Sequence, residues 1–364
     1  MSETIVVAMS GGVDSSVAAL LLKERGHAVI GMALKTWPKE MCDTVPKGQT
    51  CCSTRDIEDA RAVADRIGIP FYVVEASADF RENVIDYFLD GYAKGLTPNP
   101  CVVCNRKIKT GILLEKAGAL GAQRLATGHY AGVFRDDRRG GRYALKEAAD
   151  PEKDQSYVLF QLTQDQLERL VFPMGDLSKS QVRDRARWAG LSVAEKPESM
   201  ELCFIPDGDT QGFLRARAPE AFRPGEMVDR QGKLLGAHQG IAAYTVGQRK
   251  GLGIFGPNPL YVLELDPASN RVIVGERREL SVSSCRVREI SWGALPGLDG
   301  PIECWARVRY HGAKLPARLV PAGSSVRVEF NEPVEGGVTP GQAAVFYDAE
   351  GVVLGGGWIA RDGA

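Results

Sequence analysis

The sequence predicts an α/β fold in its first half, a parallel sheet with helices on both faces. A small β-rich domain and a C-terminal β-barrel follow. Three observations carry this expectation. Over residues 1–130 short apolar runs alternate with segments of helical period, the pattern of parallel strands joined by crossover helices. From about Asp207 glycine and proline become frequent and the apolar runs shorten. Residues 276–364 are almost entirely short strand-like runs between turn residues, as barrels require. A chain of 364 residues accommodates two to three domains at about 150 residues each. The expected divisions are 1–207, 208–275 and 276–364.

Each element has a local reason. Thr4 to Met9 is a buried strand by its apolar run, and a glycine turn follows it. Ser15 to Arg25 is a helix stopped by Gly26, and His27 to Lys35 is the next strand. Ser53 to Ile67 reads as a helix, with Ser53 as cap and Ile57, Ala60, Ala64 and Ile67 on one face. Pro70 to Ala76 is a third strand. Phe80 to Lys94 is helical, with Val84, Phe88 and Tyr92 in step. A proline-rich loop, Thr97 to Pro100, carries the chain into Cys101 and Cys104. Ile108 to Ala119 is a helix and Arg124 to Thr127 a strand. Residues 150–200 are mostly helical, with Thr163 to Leu170 and Ser178 to Ala189 the clearest segments. Ile241 to Val246, Leu260 to Leu265 and Arg271 to Val274 are strands of the middle domain. Ile302 to Tyr310, Ser325 to Phe330 and Ala343 to Tyr347 belong to the barrel.

Composition excludes several classes. No run approaches the ~20 apolar residues of a membrane span. The first residues lack the basic start, apolar run and cleavage site of a secretory signal. A cytoplasmic protein without membrane contact is expected. Forty-five Lys and Arg against 46 Asp and Glu leave a net charge of -1, so any nucleic-acid surface is local. Residues 271–318 carry nine basic and five acidic residues, and Lys179, Arg183, Arg185 and Arg187 line one predicted helix. Eight cysteines are too sparse for a disulfide scaffold. In a reducing compartment, clustered ones read as catalytic or metal-binding.

The sharpest motif is Ser10-Gly11-Gly12-Val13-Asp14-Ser15-Ser16, set between the first strand and first helix. Its glycines permit a tight turn and close backbone approach. Hydroxyls, amides and the helix N-terminus together make an anion site. The loop lacks the lysine of the GxxxxGK[ST] phosphate loop.

The second motif joins Cys101 and Cys104 in a CxxC to the distant Cys203. A redox pair, half a zinc site with Cys42 or Cys51, and unrelated buried thiols are the plain alternatives. The glycine loop resembles that of the PP-loop ATP pyrophosphatases, which implies an adenylated intermediate, and sulfur chemistry at an adenylated carbonyl is then the more economical account. A persulfide on one cysteine delivers its terminal sulfur, and a second thiolate resolves the resulting disulfide. Cys104 and Cys203 meet that need. The Cys51-Cys52 pair has no functional account, and Cys285 and Cys304 read as packing residues.

The resemblance to the PP-loop ATP pyrophosphatases implies the adenine nucleotide alpha hydrolase-like fold. Further segments make the resemblance specific. They are TPNPCVVCN at 97–105, TGHYA at 127–131, KDQSY at 153–157, CFI at 203–205, GQRKGLGI at 247–254 and TPGQAAVFY at 339–347. With AMSGGVDSS at 8–16, the chain is similar nearly end to end to the bacterial tRNA-specific 2-thiouridylases, the MnmA family. The resemblance implies ATP-dependent replacement of the 2-oxygen of the wobble uridine by sulfur in tRNAs for Lys, Glu and Gln, with AMP and pyrophosphate released. It assigns Cys104 as nucleophile and Cys203 as persulfide carrier. ATP contacts fall on Ala8, Met9, Ser10, Gly11, Gly12, Val13, Asp14, Ser15, Leu34 and Gly128. The target base meets Asn99, Pro100 and Cys101. Contacts to tRNA fall on His129, Lys153, Asp154, Gln155, Arg309, Tyr310 and Gln342. Mg²⁺ accompanies ATP, because a dication screens the triphosphate. The partners implied are the tRNA anticodon loop and a cysteine desulfurase or sulfur-carrier protein.

One departure leaves two routes open. The family pattern has Asp where this chain has Cys101. A thiol titrates near about 8.5 against about 3.9 for Asp, so Cys101 is a variant acid/base group on the persulfide route. Alternatively Cys101, Cys104 and Cys203 hold a [4Fe–4S] cluster. Competing readings are an amide-forming or lysidine-forming PP-loop synthetase and a non-catalytic tRNA- or metal-binding protein. Neither needs paired distant cysteines.

Overall fold

The computed structural model describes residues 2–37, 54–198, 202–254 and 258–361. The expected cap Ser53 and the cysteines Cys42, Cys51 and Cys52 lie outside the described residues.

Strand β1 (Thr4–Ala8) is apolar on both faces because both are covered. Val7 packs into one cluster with Val17, Ala18 and Leu21 of α1 (Val13–Glu24) and with Ala60, Val63 and Ala64 of α2 (Thr54–Ile67). Val6 packs into another with Leu113, Leu114 and Ala117. Two-sided burial is what selects a continuous apolar strand. Around it lie β2 (Ala28–Lys35), β3 (Phe71–Glu75), β4 (Arg124–Thr127) and the short β7 (Leu170–Val171). All pair in parallel in the order β3-β2-β1-β4-β7. Strand order therefore reverses between β1 and β4, the position where open parallel sheets bind ligands beyond their carboxyl ends.

Two long helices cover the second face. Helix α3 runs through Ser77–Phe80, Arg81–Ile85 and Asp86–Ala93, and α4 through Pro100–Val103, Cys104–Ile112 and Leu113–Ala119. The middle stretch of each is wound as π-helix, which in short runs marks functional positions. The expected proline-rich loop holds over residues 97–99 but ends one residue early. Pro100 is the first helical residue, and both cysteines sit on the opening turns of α4. Proline suits that place, because its missing N–H would have no partner there and its φ is already helical.

A hairpin absent from the sequence reading, β5 (Gly132–Asp136) with β6 (Arg142–Lys146), leaves the sheet after β4. Short helices α5 (Ser156–Leu159) and α6 (Gln164–Arg169) precede α7 (Lys179–Trp188), and capping boxes at Thr163 and Ser178 start the last two. The middle domain has four strands, β8 (Gly225–Val228), β9 (Leu234–His238), β10 (Tyr261–Asp266) and β11 (Arg271–Gly275), in the order β10-β11-β8-β9. It also holds α8 (Thr210–Arg217), capped by Asp209. The strand expected at Ile241 to Val246 is instead a 3-10 turn, Ile241–Ala243. Ile241, Ala243 and Tyr244 bury in the middle-domain core from that turn, and a short apolar run alone does not separate the two conformations.

The last six strands close a barrel in the order β12-β15-β14-β13-β16-β17. They are β12 (Val282–Trp292), β13 (Ile302–Arg307), β14 (Leu315–Ala322), β15 (Ser325–Val334), β16 (Ala343–Tyr347) and β17 (Val353–Ile359). Strand β16 is buried on both faces. Ala344 and Phe346 fill the barrel, while Ala343, Val345 and Tyr347 join the core under the parallel sheet. Barrel and sheet thus share one apolar seam. A polar lock crosses it. The Arg307 guanidinium donates to Asp154 Oδ2 at 3.1 Å and to Glu147 Oε1 at 3.2 Å. Asp154 also accepts from the Ser156 hydroxyl at 2.8 Å and from the Ala148 and Ser156 amides.

The Asp154 side chain is 2% exposed, so removing its cation strands a buried carboxylate. Arg307→Ala should destabilise the chain by about 3–5 kcal/mol in equilibrium denaturation. A loss below about 1 kcal/mol would show that the lock does not hold the seam.

Candidate active site

The glycine loop follows β1 at the strand-order reversal. Gly11 has φ +73°, and a Cβ there would lie 2.1 Å from the Asp56 carbonyl oxygen. Gly12 caps α1 without a side-chain acceptor, so the first-turn amides keep their capacity for an anion. The Ser15 hydroxyl accepts from the Ser10 amide at 3.2 Å and donates to the Gly12 carbonyl, which also accepts from Ser16 at 2.8 Å. Gly128, just after β4, closes the other wall. A Cβ there would lie 2.6 Å from the Ser15 nitrogen. The fold therefore brings Ala8 to Ser15 and Gly128 together. Leu34, at the end of β2, packs against both the sheet core and the cluster that holds Cys104.

The lysine missing from the loop arrives from far along the chain. Lys179 opens α7, and its ammonium bonds both Asp14 carboxylate oxygens at 2.7 and 2.8 Å. It also pairs with Glu198 at 2.8 Å, which Lys153 meets at 2.9 Å. Burial opposes ionisation of Glu198, yet the two lysines hold its carboxyl below the usual range. The Tyr130 hydroxyl donates to Asp14 at 2.7 Å. Burial, with Asp14 adding to it, pushes the Tyr130 phenol far up, so it remains a donor. Sequence reasoning gave Tyr130 and Glu198 no role and placed Lys179 only among the basic residues of a helix. Only the capping box at Ser178 hinted at a helix start, and nothing local placed that start beside the loop.

Cys104 is 8% exposed within a cluster of Trp37, Phe80, Phe88, Phe204 and Ile205, and Cys203 packs against the same cluster. Residues about a hundred positions apart in sequence thus pack against one apolar cluster. Cys101 is exposed on the first turn of α4. Cys285 and Cys304 lie in the barrel core, and burial pushes the Cys304 thiol up to about 12.

The barrel is fastened to the segment ahead of Cys101. The Thr97 amide donates to the Pro340 carbonyl, and the Gln342 side chain donates to the Thr97 carbonyl, both at 2.9 Å. Asn99 and Pro100 are buried beside it. Tyr310 stacks on Tyr157 at 5.8 Å. Burial raises its phenol, Gln155 hydrogen-bonds it, and Cys101 is close enough to add to the rise. The Arg309 guanidinium rests on the Gly336 and Gly337 carbonyls at 2.6 and 3.1 Å. Asp154 belongs to the barrel lock. His129 points inward, its Nδ1 2.7 Å from the Thr127 hydroxyl and its ring against Phe172.

A parallel sheet with an uncapped glycine loop at its strand-order reversal defines a nucleotide-binding α/β domain, here joined to a cysteine-containing apolar cluster and a barrel. Residues 3–207 match the family described as tRNA methyl transferase HUP domain, 211–276 its PRC-barrel domain and 282–359 the aminomethyltransferase beta-barrel domain. Curated relatives resemble the chain over nearly its whole length. The tRNA-specific 2-thiouridylase MnmA of Symbiobacterium thermophilum is 47% identical over 99% of this chain and 93% of its own. That of Desulfitobacterium hafniense is 48% identical over 98% and 97%, and that of Geotalea uraniireducens 50% over 98% and 94%. The chain belongs to the tRNA-specific 2-thiouridylase family.

Burial lowers His129 from 6.5 to about 3, so the imidazole is neutral at physiological pH. Below pH 6.5 the unfolded chain takes up this proton and the folded chain does not. Stability should therefore fall as pH drops from 6.5 towards about 3. In NMR titration the His129 ring signals should stay fixed from pH 5 to 8 (about the range of an ordinary imidazole). A midpoint above pH 6 would contradict this burial.

Proposed function

We propose that this protein is a tRNA-uridine 2-sulfurtransferase working through a cysteine persulfide. The carrying observation is that Cys104 and Cys203 pack in one apolar cluster, which Leu34 at the end of β2 joins to the sheet that carries the uncapped glycine loop. In the reading we favour, the 2-carbonyl oxygen of the wobble uridine attacks the α-phosphate of ATP and pyrophosphate leaves. The loop Ala8 to Ser15, with Leu34 and Gly128, holds the nucleotide, and Mg²⁺ enters with the triphosphate. A persulfide on Cys203 attacks C2 through its terminal sulfur and AMP leaves. The Cys104 thiolate then attacks the Cys203 sulfur. The C2-bound sulfur departs as the 2-thio group, and a Cys104–Cys203 disulfide remains. Cys101, beside Tyr310, serves as the proton donor or acceptor towards the base.

The [4Fe–4S] route finds no support in the donor set. Among the described residues no three His, Cys, Asp or Glu side chains are arranged to hold a metal, and Cys101 is exposed where Cys104 is buried. The substrates are the tRNAs for Lys, Glu and Gln, whose anticodon bases are already unpaired and so leave their stack at little cost. Lys153, Gln155, Arg309, Tyr310 and Gln342, with Asn99 to Cys101, make up the RNA surface of the catalytic domain (1–207) and the barrel (276–364). The middle domain (208–275) supports both. A cysteine desulfurase or sulfur-carrier protein supplies the persulfide. The proposed setting is the cytoplasm; among the described residues no helix is long and apolar enough to cross a membrane.

Separate steps give separate phenotypes. Cys203→Ser should block persulfide loading. Cys104→Ser should load sulfur yet form no 2-thiouridine on repeated turnover. Cys101→Asp should keep substantial activity. Loading would be followed by mass spectrometry and product by nucleoside chromatography. Inactive Cys101→Asp and Cys101→Ala, with about four irons per wild-type chain and none in either variant, would replace the persulfide reading by the cluster.

A further inference from the structure

Both side-chain partners of Asp14 lead back to one three-residue segment. On one arm, the Tyr130 hydroxyl bonds Asp14, the Tyr130 amide donates to Gln155 Oε1 at 3.0 Å, and the Gln155 amide donates to the Tyr130 carbonyl at 2.8 Å. With its oxygen so engaged, the Gln155 side chain has its NH₂ group left to meet Tyr310 of the barrel. On the other arm, Lys179 bonds Asp14 and Glu198, and Glu198 bonds Lys153. Between the two, Asp154 is fixed in the barrel lock by Arg307. Residues 153–155 and Asp14 therefore close a ring of hydrogen bonds and ion pairs, with Tyr130, Lys179 and Glu198 as its intermediate members.

Resting on the proposed function, in which Lys153, Gln155 and Tyr310 face the tRNA, we propose that residues 153–155 couple RNA binding to the ATP loop through the positioning residues Tyr130 and Glu198. A tRNA that engages Lys153, Gln155 and Tyr310 fixes the segment. The segment fixes both partners of Asp14, and the loop then has less freedom to lose when ATP arrives. A second ligand that meets an already ordered site binds more tightly. Linkage requires that ATP tighten tRNA by the same factor. The arms are separable, because Tyr130 and Glu198 belong to neither the ATP loop nor the RNA surface.

The test is a linkage measurement on the full chain. The probe is α,β-methylene ATP, which cannot be cleaved between the α- and β-phosphates. Its dissociation constant is measured with and without unmodified lysine tRNA, at fixed salt. Wild type should bind the analogue about fivefold or more tightly when tRNA is present. Tyr130→Phe, which keeps the buried ring, and Glu198→Gln, which keeps its shape, should each reduce that factor. The double variant should bring it to within about twofold of unity. A purely structural role would weaken each ligand alone and leave the ratio unchanged. Either a wild-type factor near unity or a double variant with the wild-type factor would overturn the coupling, even with thiolation intact. Failure of wild type to bind tRNA at all would overturn the proposed function itself, and the coupling with it.

Discussion

The active site depends on one backbone-to-backbone approach. Gly128 leaves β4 so close to the start of α1 that a single added carbon would sit 2.6 Å from the Ser15 nitrogen. That contact lies where strand order reverses, between β1 and β4, and it makes two loops the walls of one crevice. From Gly128 the chain has only two further residues in which to place its neighbours. His129 turns inward as a neutral imidazole on Thr127, and Tyr130 turns towards Asp14. The first packs the site's floor and the second arms its mouth. A side chain at residue 128 would push both loops apart.

The second constraint is that the catalytic domain is incomplete alone. Strands β16 and β17 are buried on both faces because one face fills the barrel and the other covers the sheet domain. Such strands have no exposed side to make polar, so 343–347 read as an unbroken apolar run. The barrel in return carries Tyr310 and Gln342 to the segment before Cys101. Among the salt links at this seam Arg307–Asp154 reaches a buried carboxylate whereas Arg138–Glu350 is exposed, and burial rather than number decides their weight. The lock through Arg307 and Asp154 ties the barrel to the segment that carries Lys153 and Gln155.

Local signals in the sequence identified the glycine loop, the β1 and β2 strands, the α2 face at Ala60 and Ala64, and the three-domain order, since each rests on spacing within a few residues. The site's cationic side was illegible. Lys179 reaches Asp14 across 165 positions, and no periodicity encodes such a meeting. The opening of α4 was misread for a different reason. Thr97-Pro98-Asn99-Pro100 has loop composition, yet the second proline is a first-turn residue, and the same residue type marks both states. The π-wound stretch from Cys104 escaped because it shifts helical phase by one residue without changing composition. Cys104 and Cys203 were singled out by chemistry and family resemblance, and both pack against the cluster of Phe80, Phe88 and Phe204.

The central claim is that one ATP and one cysteine pair convert one uridine. A single-turnover reaction tests it directly, with persulfide-loaded protein, stoichiometric tRNA and ATP, and no added reductant. Rapid quenching should find AMP and 2-thiouridine formed in equal amounts. Peptide mass spectrometry of the same sample should find Cys104 joined to Cys203. Thiolated tRNA formed while both cysteines remain open to alkylation would contradict the account.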